Sequence, residues 1–208
     1  MHIGLDIDGV ILDFERQMHY YAEMYDLLVL GKEGIVHKEE FSYLNQYDWT
    51  EEERKVFIRD YLIKGTINTP LMIGAKEIIC LFHDLHYQTS IITARGSLNE
   101  KTITCVRNRL NREGIHVGNV YYKVEDKVEM CKKLNIDIMI EDTPSICGAL
   151  SKNDVFTLYL RDKKSKVVEE SEHLKEVNNW GEILREVLNK SNNEEDIVTC
   201  QKIMKKIL

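Results

Sequence analysis

The chain has 208 residues, 43% of them apolar and 30% charged, which is enough for one substantial core, or one core with a small insertion. Its formal net charge of −7 argues against a general nucleic-acid-binding surface, because that surface needs clustered cations to displace counterions. A local basic pocket for a single phosphate is still allowed.

The first element is a short buried strand. Ile3, Leu5 and Ile7 alternate with small or acidic neighbours, and the run breaks at Gly9, where a chain turns without a Cβ penalty. Asp6 and Asp8 end it. Residues two apart on a strand share a face, about 6–7 Å apart at ~3.3 Å per residue. Both carboxylates therefore project from the strand's carboxyl end, the edge where an open parallel sheet binds ligands. Taken alone, Asp-x-Asp-Gly is equally readable as a turn with solvated acids. A calcium loop would want an oxygen ligand at Val10 and Glu at Gln17, and has neither.

A helical pattern follows, with Phe14, Met18, Tyr21, Ala22 and Tyr25 on one stripe and Gly31 and Gly34 ending it. From Ile35 to Thr69 the chain is aromatic and charged (Phe41, Tyr43, Tyr47, Trp49, Phe57, Tyr61) and offers no clear strand. Asp48 to Glu53 reads as a helix start with acids in its first turn. Residues 14–70 are read as a small helical insertion beside the core. Its aromatics favour packing over a base-stacking platform.

Beyond Pro70, Ala75 to His86 reads as a helix and Thr89 to Thr93 as a strand. The turn Ala94-Arg95-Gly96-Ser97 opens a second helix toward Gly114, with Ser97 and Glu100 at capping-box spacing. Val117 to Tyr122, Ile136 to Ile140 and Val155 to Leu160 give three further strands. Lys127 to Leu134 and a short segment after Pro144 are helical. Alternation of this kind predicts an α/β fold, a Rossmann-like parallel sheet with helices on both faces. Residues 1–13 and 71–190 form its core. Trp180 to Leu188 reads as a last packing helix. A polar stretch then leads to an amphipathic tail, residues 191–208, carrying Ile197, Val198, Ile203, Met204, Ile207 and Leu208. Docking on the core, forming a homodimer and staying loose are all open to it.

Five cysteines without a Cys-x-x-Cys pair fit reduced thiols and a cytoplasmic location. Neither a signal peptide nor a membrane span is legible. No His-x-x-x-His spacing suggests zinc.

Polar groups converge on the carboxyl ends of the predicted strands. They are Asp6 and Asp8 from the first, Thr93 from the second, Lys127 from the turn after the third, and Glu141 and Asp142 from the fourth. That inventory suits phosphoryl transfer through an aspartyl phosphate. A carboxylate attacks phosphorus, a few hard oxygens hold Mg²⁺, and a lysine and a hydroxyl orient the phosphoryl oxygens. The turn at Thr93, Ala94, Arg95 and Gly96 adds backbone N–H groups at a helix start. Each residue also has a bland reading. Thr93 can be an ordinary strand residue, Lys123 rivals Lys127, Glu141 and Asp142 can be helix-start acids, and Arg95 can be surface charge. A P-loop kinase lacks its motif here, and a dinucleotide site would want glycines where the first strand ends in acids.

In these four motifs, in this order, the chain resembles the haloacid dehalogenase superfamily of phosphohydrolases over about residues 1–190. Asp6-Ile7-Asp8-Gly9-Val10 is similar to its first motif, Thr93 to the second, Lys127 to the third, and Glu141-Asp142 to the fourth. The turns Ile-Thr-Ala-Arg-Gly and Ile-Glu-Asp-Thr-Pro, with Val177-Asn178-Asn179-Trp180, resemble the 5′-nucleotidase and 5′(3′)-deoxyribonucleotidase branch. The resemblance implies a Mg²⁺-dependent phosphatase on a small phosphomonoester, with nucleoside monophosphates favoured. Sugar phosphates, nucleic-acid ends or a non-catalytic role are the alternatives. It implies Asp6 as nucleophile and metal ligand. Asp8 would be the acid and base, with its carbonyl on the metal. Thr93, Ala94, Arg95 and Lys127 would bind phosphate. Asp142 would be favoured as the direct metal ligand, with Glu141, a departure from the family pattern, beside it either as a further ligand or as an acid supporting the ligands. Residues 14–70 fall where that family places its cap.

Overall fold

The computed structural model describes residues 1–40, 42–161 and 166–207; Phe41 and Leu208 lie outside them, as do the side chains of Met204, Lys206 and Ile207. The sheet has six strands in the order β3-β2-β1-β4-β5-β6. They are β1 (His2–Leu5), β2 (Gln88–Ile92), β3 (Asn119–Tyr121), β4 (Ile138–Glu141), β5 (Thr157–Leu160) and β6 (Leu174–Val177). All five pairings are parallel. Strand order reverses at β1, which pairs with β2 on one side and β4 on the other. That crevice is where an open parallel sheet holds its ligands.

Why these segments are strands is plain from burial. Ile3, Leu5, Ile91, Ile138, Ile140 and Leu158 are all fully buried, as a sheet covered on both faces requires. Gly4 lets β1 and β4 approach closely, since a Cβ there would sit 2.7 Å from Met139 Sδ. Helices α4 (Ala75–Asp84), α5 (Lys101–Glu113) and α8 (Trp180–Ser191) pack Ile79, Phe82, Val106, Leu110, Ile183 and Val187 into one apolar cluster. Helices α6 (Lys127–Leu134) and α7 (Pro144–Ser151) supply Cys131 and Leu150 to a second, with Ile92 and Met139. Burial of each such aliphatic side chain contributes on the order of 1.5–3 kcal/mol.

Sequence reading finds five strands; the structure has a sixth. β6 runs Leu-Lys-Glu-Val, buried only at its two ends. It is a four-residue edge strand, and charge on an edge blunts self-association while erasing the apolar run that reading looks for. The start of α5 also differs. Ser97 does not cap it; its hydroxyl donates to Ala94 O at 2.8 Å. Helix geometry begins at Lys101, whose N–H donates to Asn99 Oδ1 at 3.0 Å, and Glu100 pairs instead with Lys123.

Between β1 and α4 lie α1 (Phe14–Tyr25), a five-residue π-helical continuation (Asp26–Leu30), α2 (Tyr43–Gln46) and α3 (Glu51–Asn68). Gly31, in the left-handed conformation, ends the π turn. A complete capping box between Thr50 and Glu53 starts α3. Tyr47 stacks on Trp49 at 4.6 Å, and Phe57 on Tyr61 at 5.2 Å. Trp49 donates its indole N–H to the buried Asp26 carboxylate at 2.6 Å. These rings are the packing core of the helical segment. Its two connections to the sheet are paired: Leu12 bridges Leu71, Met72 N donates to Ile11 O at 2.9 Å, and Asp13 N to Pro70 O at 3.0 Å.

Helix α9 (Glu194–Ile207) docks through buried Cys200 and half-buried Ile203, and Tyr87 donates its phenol to Asp196. Ile197 and Val198 stay exposed. Among the described residues no helix is long and apolar enough to cross a membrane.

Candidate active site

Asp6 is the first residue beyond β1. Its N–H donates to Ile140 O at 3.0 Å, so the parallel ladder with β4 reaches past the assigned strand and fixes its position. Its carboxylate is buried. Lys127, at the first position of α6, places Nζ 2.9 Å from Asp6 Oδ1 and donates to Glu141 Oε2 at 2.6 Å. The helix start is fixed by Asp126, whose carboxylate accepts the Glu129 N–H at 2.9 Å. The Asp6 oxygen accepts no well-aligned hydrogen bond; its link to Lys127 is an ion pair. Burial disfavours charge on Lys127, but the two carboxylates beside it hold the ammonium well above the usual lysine range.

Glu141 ends β4 with no exposed surface. Its second oxygen accepts the Thr143 N–H at 3.1 Å. Burial first, and then the Asp6 charge, raise its pKa. Asp142 follows and lies against Gly9: a Cβ on Gly9, whose φ is +75°, would sit 1.9 Å from Asp142 Oδ2. Only glycine satisfies both the turn and that approach. Burial, with Glu141 and Asp6 adding to it, lifts the Asp142 pKa well above the usual carboxylate range.

Oxygens of Asp6, Glu141 and Asp142 lie within 4.8 Å of one another. Three crowded carboxylates facing one lysine leave an excess of negative charge, and an all-oxygen donor set is the chemistry a hard divalent cation takes. The residues fit Mg²⁺. Asp6 and Asp142 are better placed to hold it than Glu141, whose oxygens already serve Lys127 and Thr143.

Asp8 is reached from the other side. Arg95 donates from Nε to Asp8 Oδ2 at 3.0 Å and from its second terminal nitrogen to Asp8 Oδ1. Its remaining terminal nitrogen donates to Thr66 Oγ1 in α3 at 2.7 Å, and its guanidinium lies 4.5 Å over the Phe14 ring in α1. Burial raises the Asp8 pKa, Arg95 opposing it. Thr93 is buried and its hydroxyl accepts the Arg95 backbone N–H at 3.2 Å; Ala94 is exposed in the same turn.

The structure thus groups Asp6, Lys127, Glu141 and Asp142 in one cluster and joins Asp8, Arg95 and Thr93 in an adjacent chain of hydrogen bonds. Lys123 is set apart, half-exposed and paired with Glu100. Two residues escaped the sequence reading. Thr66 carries no motif. Glu15, in the first turn of α1, reads as an acid complementing the helix dipole. The available signal is its place in the first turn of the helix that follows the acidic turn, and its carboxyl is largely buried with the Asp8 charge acting on it.

No family model matches the chain. It is 25% identical over 182 residues, 79% of this chain and 92% of the other, to the Oceanobacillus iheyensis protein named "Putative nucleotidase OB0422". Among solved structures it is similar to a haloacid dehalogenase-like family hydrolase from Streptococcus pneumoniae, with a TM-score of 0.54 and 17% identity, covering 76% of this chain and 83% of that one. It is also similar to a "predicted phosphoglycolate phosphatase" from Haemophilus somnus, with a TM-score of 0.63 and 12% identity over 89% and 96% of the two chains. The chain has the haloacid dehalogenase-like hydrolase fold, and the motif resemblance read from its sequence agrees with it.

Proposed function

We propose that this protein is a Mg²⁺-dependent phosphomonoester hydrolase working through an aspartyl phosphate on Asp6, with (deoxy)nucleoside monophosphates as its substrates. One observation carries the reading: Lys127 Nζ lies between Asp6 and Glu141, with Asp142 completing a cluster of hard oxygens. The name of the Oceanobacillus iheyensis relative supports the nucleotide class.

In this reading an Asp6 oxygen attacks phosphorus as the bond to the leaving oxygen breaks. Asp8 gives that oxygen a proton, then accepts one from the water that cleaves the aspartyl phosphate and restores Asp6. Arg95 holds both Asp8 oxygens, fixing the carboxyl for these transfers. Lys127 and the Thr93 hydroxyl bear on the phosphoryl oxygens with the turn at Ala94 and Arg95. Bound Mg²⁺ would be held by Asp6 and Asp142, with Glu141 and the Asp8 carbonyl as further donors, and would neutralise phosphoryl charge. Residues 14–70 act as a cap over a core of residues 1–13 and 71–190, excluding water and selecting the leaving group. Five free thiols support a reducing, cytoplasmic setting.

A panel of nucleoside monophosphates and sugar phosphates, assayed with Mg²⁺, tests the reading. Hydrolysis of nucleotides that disappears in Asp6→Asn is expected. Preference for hexose phosphates would reject the nucleotide class, and full activity in Asp6→Asn would reject the nucleophile.

A further inference from the structure

Among the described residues, one buried carboxylate oxygen near the reaction centre has no role in the steps above. Glu15 Oε2 is shielded from water and has no hydrogen-bond partner. A buried unpaired polar atom is uncommon and asks for an explanation. Glu15 sits in the first turn of α1, next to Phe14, whose ring lies under the Arg95 guanidinium that grips Asp8. It is near enough to Asp8 for that carboxylate's charge to act on it, and its own charge acts on Asp142 and on the Tyr43 phenol of α2. The nearby Tyr43 backbone N–H favours the charged carboxylate, yet Oε2 has no hydrogen-bond partner. The oxygen therefore belongs to a helix outside the sheet, within electrostatic reach of Asp8, to which the proposed mechanism assigns the proton given to the leaving oxygen. In that mechanism the leaving group lies next to Asp8 while phosphorus is transferred, which brings it toward this side of the site.

We propose that Glu15 is a specificity-determining residue that accepts a hydrogen bond from a hydroxyl on the leaving group, so that the site prefers esters of polyhydroxylated alcohols, pentosyl ones included. The proposal rests on the phosphatase reading and refines it. An alcohol without such a donor leaves Oε2 buried and unpaired, and the lost charge-assisted bond disfavours it. Binding of this kind discriminates sharply, because rejection comes from the enzyme's own stranded acceptor.

The test compares wild type, Glu15→Gln and Glu15→Ala on four esters: a ribonucleoside monophosphate, its dideoxy analogue, p-nitrophenyl phosphate, and O-phosphoethanolamine as an amine-bearing leaving group. Wild type is expected to favour the ribonucleotide over the dideoxy analogue by about 10–100-fold in kcat/KM. Glu15→Ala should collapse that ratio toward unity. Glu15→Gln, nearly isosteric and keeping a carbonyl acceptor, should restore part of it. Melting curves of each variant establish that it is folded. A wild-type ratio near unity, or a ratio that Glu15→Ala leaves within about twofold, overturns the proposal while the phosphatase reading stands. A loss confined to O-phosphoethanolamine overturns the hydroxyl in favour of an ammonium. Wild type inactive on all four esters with Mg²⁺ fails the phosphatase reading itself, and the proposal with it.

Discussion

Arg95 closes on both carboxylate oxygens of Asp8, one through Nε and the other through a terminal nitrogen. Two parallel bonds to one carboxylate fix its plane as well as its place, which a lysine cannot do. The third donor group of the same guanidinium reaches Thr66 in α3. Asp8, the acid and base of the proposed mechanism, is thus oriented by a residue that also holds a helix lying outside the sheet.

Arg95→Lys should therefore lower kcat by about 10–100-fold, because a misdirected acid loses most of its contribution to the transition state. Thr66→Val keeps the shape of α3 and removes one hydrogen bond. It should cost several-fold in kcat, with KM moving less, in steady-state assays on p-nitrophenyl phosphate. Equal kcat in both variants and wild type would remove Arg95 from this role.

Lys127→Met leaves Asp6 and Glu141 facing each other in a buried site. Removing one partner from buried charges costs about 3–5 kcal/mol. Urea unfolding should register that loss without added metal. Glu141→Gln, which relieves the carboxylate crowding, should cost much less.

Burial raises the Glu15 pKa from 4.5 to about 7, with the Asp8 charge adding to it. Between those values the folded chain holds a proton that the unfolded chain has released. Stability therefore falls as pH rises through that window and levels off above about 7. Glu15→Gln removes the penalty. It should raise the melting temperature at about pH 8, by an equivalent of at most about 3 kcal/mol, and change it little at about pH 4. The scans belong in metal-free buffer, and an equal shift at both pH values would contradict the assignment.

Chelation should abolish turnover, and Mg²⁺ should restore it. Bound metal also stabilises by mass action, about 2.7 kcal/mol at a hundredfold excess over Kd. Asp142→Asn should lose that thermal shift. An undiminished shift in this variant would place the cation elsewhere.

Which residues share the candidate site's edge is legible because a parallel sheet sends every strand's carboxyl end to one side. Once the alternation of strands and helices was read, Asp6, Thr93, Lys127 and Asp142 had to share that edge. What escaped reading has physical reasons. β6 carries charge on a sheet margin, so Lys175 and Glu176 hide it. Ser97 has capping-box spacing, but a turn claims its hydroxyl first. Thr66 reaches Arg95 across the gap between α3 and the sheet, and the role proposed for Glu15 likewise spans elements. Contacts between elements far apart in sequence leave no periodic trace, and an acid in a helix's first turn has an ordinary explanation already.

The helical segment leaves the sheet at Asp13 and returns at Pro70, and those two positions are hydrogen-bonded to each other. Departure and arrival thus share one doorway. A segment attached this way is modular. If the proposed mechanism holds, exchanging it for another of different length would rewrite which alcohols are accepted, while the carboxylates at the sheet edge stay where the strands put them.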